Sequence, residues 1–99
     1  MVGETARQRD ARMRVGLGSE VGDRLRVCRD YHGLSVMQTS IRSGIDPRTI
    51  SRVEGGQLPN VLTLLRLCLT YGVSADDILG ISDRKSRART SSRYVPPKA

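Results

Sequence analysis

Residues 33–56 read GLSVMQTSIRSGIDPRTISRVEGG. Glycine at Gly33, Gly44 and the pair Gly55-Gly56 cuts this stretch into two pieces of helical length. Ser35 stands where an N-cap belongs, because its hydroxyl accepts a backbone N–H that the first helical turn leaves orphaned. Gly44 stops the helix predicted over about 36–43. Ile45-Asp46-Pro47 then reads as turn, N-cap and first helical residue: the Asp carboxylate accepts backbone N–H bonds, and Pro has no N–H to lose at the first position. The next helix runs from Pro47 to about Glu54, with Ile50 and Val53 facing inward. The stretch is helix, tight turn, helix.

Upstream, Ser19 is the expected N-cap of a helix in which Val21, Leu25 and Cys28 recur at i, i+4 and i+7, with Arg24, Arg26 and Asp30 directed elsewhere. Gly33 ends that helix and Leu34 packs the corner. Downstream, Asn60 caps a helix whose Leu64, Leu67, Cys68 and Tyr71 form one stripe, while Leu62, Leu65 and Leu69 form a second; Gly72 closes it. Ser74 begins a short fifth helix with Asp77 at N3, and Ile78 and Leu79 complete the core. No segment alternates with period two. The pattern predicts an all-α domain of five short helices over residues 19–82.

The flanks differ from this middle. Residues 1–18 carry Arg7, Arg9, Arg12 and Arg14 against Glu4 and Asp10, a net of +2, and form a basic N-terminal arm. Asp10 and Arg14 lie four apart and the helix formers are good, but there is almost no apolar stripe, so the arm is either a frayed helix or disordered, separated from the domain by Gly16 and Gly18. Residues 19–82 balance seven arginines against seven acids. Residues 83–99 carry Arg84, Lys85, Arg87, Arg89, Arg93 and Lys98 against Asp83, a net of +5, with Val95 as their sole sizeable aliphatic; this basic tail is expected to be disordered and to contact a polyanion.

Composition removes several classes of function. At 99 residues and 37% apolar the chain suits one small domain, and no apolar run approaches the roughly 20 residues that span a bilayer. The opening MVGETARQR lacks the apolar stretch of a signal peptide, so a cytoplasmic protein with no membrane partner is expected. Cys28 and Cys68 fall on inward stripes and read as buried thiols; with His32 as the lone histidine, no metal site, cofactor or catalytic triad is expected. His32 sits at a helix end, where an imidazole can cap carbonyls, and Tyr31 beside it either packs or touches phosphate. An enzyme is the least favoured reading.

The chain resembles the phage-repressor family of helix-turn-helix proteins, the lambda-repressor and Cro-like five-helix domains of the XRE family. The matching residues are Leu25, Arg29, Gly33-Leu34-Ser35, Ser40, Gly44, Ile45, Ile50, Glu54, Gly56, Pro59-Asn60, the Leu-rich fourth helix and Gly72-Val73-Ser74, spread over residues 19–81. The resemblance implies that the third helix enters the major groove of duplex DNA through Pro47, Arg48, Thr49 and Arg52, with Ser51 flanking. Ser35, Val36, Gln38 and Asn60 are the further expected DNA contacts. The side chains suit such a contact, since Arg48 and Arg52 lie one turn apart on one face and an arginine fork can bridge guanine O6 and N7. The resemblance also pairs Arg29 with Glu54 as a scaffold salt bridge.

Two departures stand out. The first residue of the second helix, often Gln in the family, is Val36, which moves that polar contact to Gln38 or Ser35 or removes it. Thr39, Ser40 and Ser43 occupy positions where larger apolar groups are common at the first and last, while Met37 and Ile41 fall outward. Either the helix is rotated, or it packs thinly and offers Met37 and Ile41 to another contact. The function expected is a sequence-specific transcriptional regulator, repressor or Cro-like, binding a palindromic or pseudo-palindromic operator as a homodimer. Leu62, Leu65, Leu69 and Ile81, with Val95, are the candidate dimer surface. Two alternatives are an antitoxin or adaptor that holds a protein partner on the same fold, and nonspecific packaging of nucleic acid through the basic ends.

Overall fold

The computed structural model describes residues 3–81; the basic tail over 83–99, Val95 included, lies outside the described residues. Among the described residues five helices follow one another: α1 (Ala6–Tyr31), α2 (Val36–Ser43), α3 (Pro47–Glu54), α4 (Val61–Tyr71) and α5 (Ala75–Leu79). No strand occurs among the described residues, and the architecture is the all-α, lambda-repressor-like one that the sequence predicts.

Side-chain caps open every helix. Ser35 and Gln38 form a reciprocal box at α2: the Gln38 N–H donates to Ser35 Oγ (3.0 Å) and the Ser35 N–H to Gln38 Oε1 (2.8 Å). Asp46 caps α3 ahead of Pro47, Asn60 caps α4 and Ser74 caps α5. Left-handed Gly44 ends α2 at φ 75°, a conformation that a side chain with Cβ resists, so the turn into α3 depends on it.

The first helix corrects the sequence reading. It begins not at Ser19 but at Ala6, where Thr5 and Gln8 form a second capping box (3.1 and 2.8 Å), and it runs 26 residues without a break. Gly16 and Gly18 do not interrupt it. Gly18 and Gly22, one turn apart on the buried side, instead let α3 approach: a Cβ on Gly18 would overlap the Gly56 carbonyl, and one on Gly22 the carbonyls of Val53 and Glu54. Backbone proximity, not a helix stop, is what these glycines supply.

The core is built where the helices meet. Val21, Leu25 and Cys28 of α1, Ile50 and Val53 of α3, Leu67, Cys68 and Tyr71 of α4, and Ile78 of α5 are buried, with Leu34 and Ile45 sealing the corners. Arg24 is buried as well, contrary to its expected outward direction. Its Nη1 donates to the Ile78 carbonyl (2.9 Å) and its Nη2 lies 3.6 Å from Glu20, so the guanidinium satisfies the C-terminal end of α5.

The second helix is not rotated. Thr39 is fully buried and faces Tyr71, which fills from α4 the space a larger residue on α2 would take. Burial pushes the Tyr71 phenol up to about 12, and the neighbouring Thr39 hydroxyl opposes that rise; neither hydroxyl has a partner of full hydrogen-bond geometry among the described residues. Ser40 and Ser43 are used differently. Ser40 Oγ donates to the Ile45 carbonyl (2.5 Å), and the Ile45 N–H donates to Ser43 Oγ (3.2 Å), so two small hydroxyls pin the turn between α2 and α3. Met37 and Ile41 remain exposed.

Candidate nucleic-acid interface

The third helix is held rigidly from behind. Ile50 and Val53 anchor it in the core, and Glu54 at its last position meets Arg29 of α1. Arg29 Nε donates to Glu54 Oε2 and Nη2 to Oε1, both at 2.8 Å, a bidentate fork, while Nη1 donates to the Leu34 carbonyl at 2.9 Å. The hydrogen bond to Glu54 raises the Arg29 pKa, against the opposing effect of burial, so the guanidinium stays charged and clamps α1, the corner and α3 together.

The opposite face of α3 is open. Arg48, Ser51 and Arg52 are exposed, and Pro47 and Thr49 are half-buried at its base. The two guanidinium groups, at i and i+4, share one face and have no hydrogen-bond or ion-pair partner among the described residues. The nearest acid in sequence, Asp46, spends its carboxylate on the Arg48 backbone N–H (2.8 Å) as the helix cap. Two full positive charges therefore stand in solvent on a helix that the core prevents from turning.

The other expected contacts fall at helix starts. Ser35 and Gln38 are exposed, but the Ser35 hydroxyl and Gln38 Oε1 are engaged in the α2 capping box, leaving the Gln38 amide N–H groups to reach outward. Val36 is half-buried and packs against the core. Exposed Asn60 accepts the Thr63 N–H (2.8 Å) as the α4 cap. Sequence reading passed over Arg42, exposed in the last turn of α2 and without a partner among the described residues, because a basic residue there is the ordinary complement of the helix dipole. It also passed over Arg66, whose Nη1 reaches the Gly44 carbonyl (3.5 Å) from α4; its signal, a lone charge between leucines, has no short-range meaning. His32 Nε2 meets the Tyr71 carbonyl (2.9 Å), tying the end of α1 to the end of α4, and Tyr31 packs edge-on against it while half exposed.

A family model described as a helix-turn-helix domain matches residues 20–79, more than half of the chain. The chain belongs to the helix-turn-helix domain family. Membership agrees with the phage-repressor type of resemblance and makes this a DNA-binding regulator in the general sense. No curated protein and no solved structure matches the chain. Among the described residues, no helix of this helix-turn-helix protein is long and apolar enough to cross a membrane.

The fourth helix presents a different face. Leu62, Leu65 and Leu69 are at least half exposed, as is Ile81 just beyond α5, so the second leucine stripe is not part of the core. Both cysteines are buried, and burial raises the Cys68 thiol above its ordinary range.

Proposed function

We propose that this protein is a sequence-specific double-stranded DNA-binding transcriptional regulator, a repressor or Cro-like switch protein, acting in the cytoplasm with no cofactor. Its α3 enters the major groove of an operator half-site, where Arg48 and Arg52 read guanine edges and Thr49 supplies a hydroxyl and a methyl. Pro47 and Ser51 line the approach, and Ser35, Val36, Gln38 and Asn60 meet the backbone at the starts of α2 and α4. The observation that carries this reading is the pair of arginines, one turn apart and without partners among the described residues, on a helix locked from behind. Occupying the operator is enough to block polymerase.

One short helix discriminates weakly, so two copies bind a palindromic or pseudo-palindromic site as a homodimer. The exposed leucines of α4, with Ile81, supply the apolar surface for it. Selection from random duplexes, followed by sizing of the bound species, tests both parts: a palindromic consensus carried by a dimer is expected, and recovery of unenriched sequence contradicts the reading. A second reading, an antitoxin or adaptor holding a protein partner, is favoured by one observation, the exposed Met37 and Ile41 on α2. Its outcome is a stoichiometric protein partner with no retardation of duplex DNA.

A further inference from the structure

The N-terminal half of α1 has no fold to support. Every residue from Gly3 to Gly16 is exposed, and packing begins only at Leu17 and Gly18. From Gly18 back to Ala6 the helix continues for about 18 Å at 1.5 Å per residue. Gly18 lies against Gly56, two residues past the end of α3, so the extension leaves the domain beside the end of α3 that carries Arg52.

Its chemistry is one-sided in sign but not in space. Between Ala6 and Gly16 stand Arg7, Arg9, Arg12 and Arg14 against Asp10 alone. Arg12 pairs with Glu4 at 2.8 Å; Arg7, Arg9 and Arg14 have no partner among the described residues. Arg7 and Arg14 share one side of the helix, and Arg9 and Arg12 lie on the other. The exposed apolar residues, Met13 and Val15, are two positions apart and so about 200° around the axis, which gives no apolar seam. A second copy of this helix is repelled by like charge. What complements a positive, seamless helix is a polyanion.

We infer that this extension is a second DNA-binding element, holding backbone phosphates without reading bases, and that it adds to the contact α3 makes; the inference rests on the reading of α3 as the base-reading helix. It divides the work between α3, which sets preference, and the first three turns of α1, which set sequence-independent affinity.

The test uses the full chain carrying Arg7→Gln, Arg9→Gln and Arg14→Gln together, titrated with duplex DNA by fluorescence anisotropy over a series of salt concentrations. Gln keeps helix propensity, and circular dichroism checks that helical content is unchanged. The expected result is weaker binding to selected and scrambled duplexes by the same factor, about tenfold or more near 0.1 M salt, with the slope of log K against log salt shallower by about 2–3. An unchanged affinity and slope overturn the inference and leave the α3 reading standing. Loss of a copurifying acidic protein with DNA binding intact overturns it as well. The two readings fail separately, because Arg48→Ala in the same assay addresses α3 by its effect on the selected-to-scrambled ratio and leaves the salt slope of the extension in place.

Discussion

The third and fourth helices are built alike on their inner sides and unlike on their outer ones. Each buries an apolar stripe, Ile50 and Val53 in α3 and Leu67, Cys68 and Tyr71 in α4. Outward, α3 carries Arg48, Ser51 and Arg52, whereas α4 carries Leu62, Leu65 and Leu69. The inner stripes explain stability and say nothing about function. Function is written on the residues that stability does not need, and a charged face and a leucine face suit different partners: phosphates and base edges for one, another protein surface for the other.

The sharpest separation between inner and outer stripes is expected within α4 itself. Leu67→Ala empties a fully buried site and should cost about 2–5 kcal/mol in denaturant melts, a large share of what a domain this size has. Leu65→Ala should move the same melt of the monomer by no more than about 0.5 kcal/mol. Equal losses would place both leucines in one core and erase the distinction. Next in size is Arg48→Ala, expected to weaken binding to a selected duplex by about 1–3 kcal/mol and relax its base preference while leaving the melt unchanged. Leu65→Asp sharpens the comparison from the other side: dimer mass in sedimentation should fall, with helical content retained.

The smallest effect concerns the buried side of α4. Burial raises the Tyr71 phenol to about 12 and the Cys68 thiol in the same direction, so the folded state favours both neutral forms. The stability this lends is complete below the ordinary thiol and phenol ranges and drains away as pH rises through about 9 to 12. Melts followed by circular dichroism should show that alkaline loss, and Tyr71→Phe should reduce it to the part owed to Cys68.

Much of this was legible in one dimension because its causes are local. Ser35, Asp46, Asn60 and Ser74 announce helix starts by a hydroxyl, carboxylate or amide placed before an apolar period, and each caps as expected. The stripes of α1, α3 and α4 follow from spacing alone. What was hidden depends on elements far apart in sequence. Gly18 looks like a breaker until α3 is laid against it; its four-residue spacing from Gly22 was the available signal, as the Thr5–Gln8 box was for the true start of α1. Arg24 looks solvent-directed because the Ile78 carbonyl it serves is 54 residues away. Thr39 looks too small for a core position until Tyr71 arrives from α4. The candidate interface was more legible than these, since Arg48 and Arg52 sit on a single helix whose phase Ile50 and Val53 fix.

The central claim is that the outer face of α3 reads base edges. It is tested most directly by titrating wild type and Arg48→Ala/Arg52→Ala against a selected duplex and its scrambled counterpart at one salt concentration. The predicted result is collapse of the selected-to-scrambled affinity ratio toward one, with thermal unfolding unchanged. A ratio that survives the double substitution in a fully folded protein contradicts it.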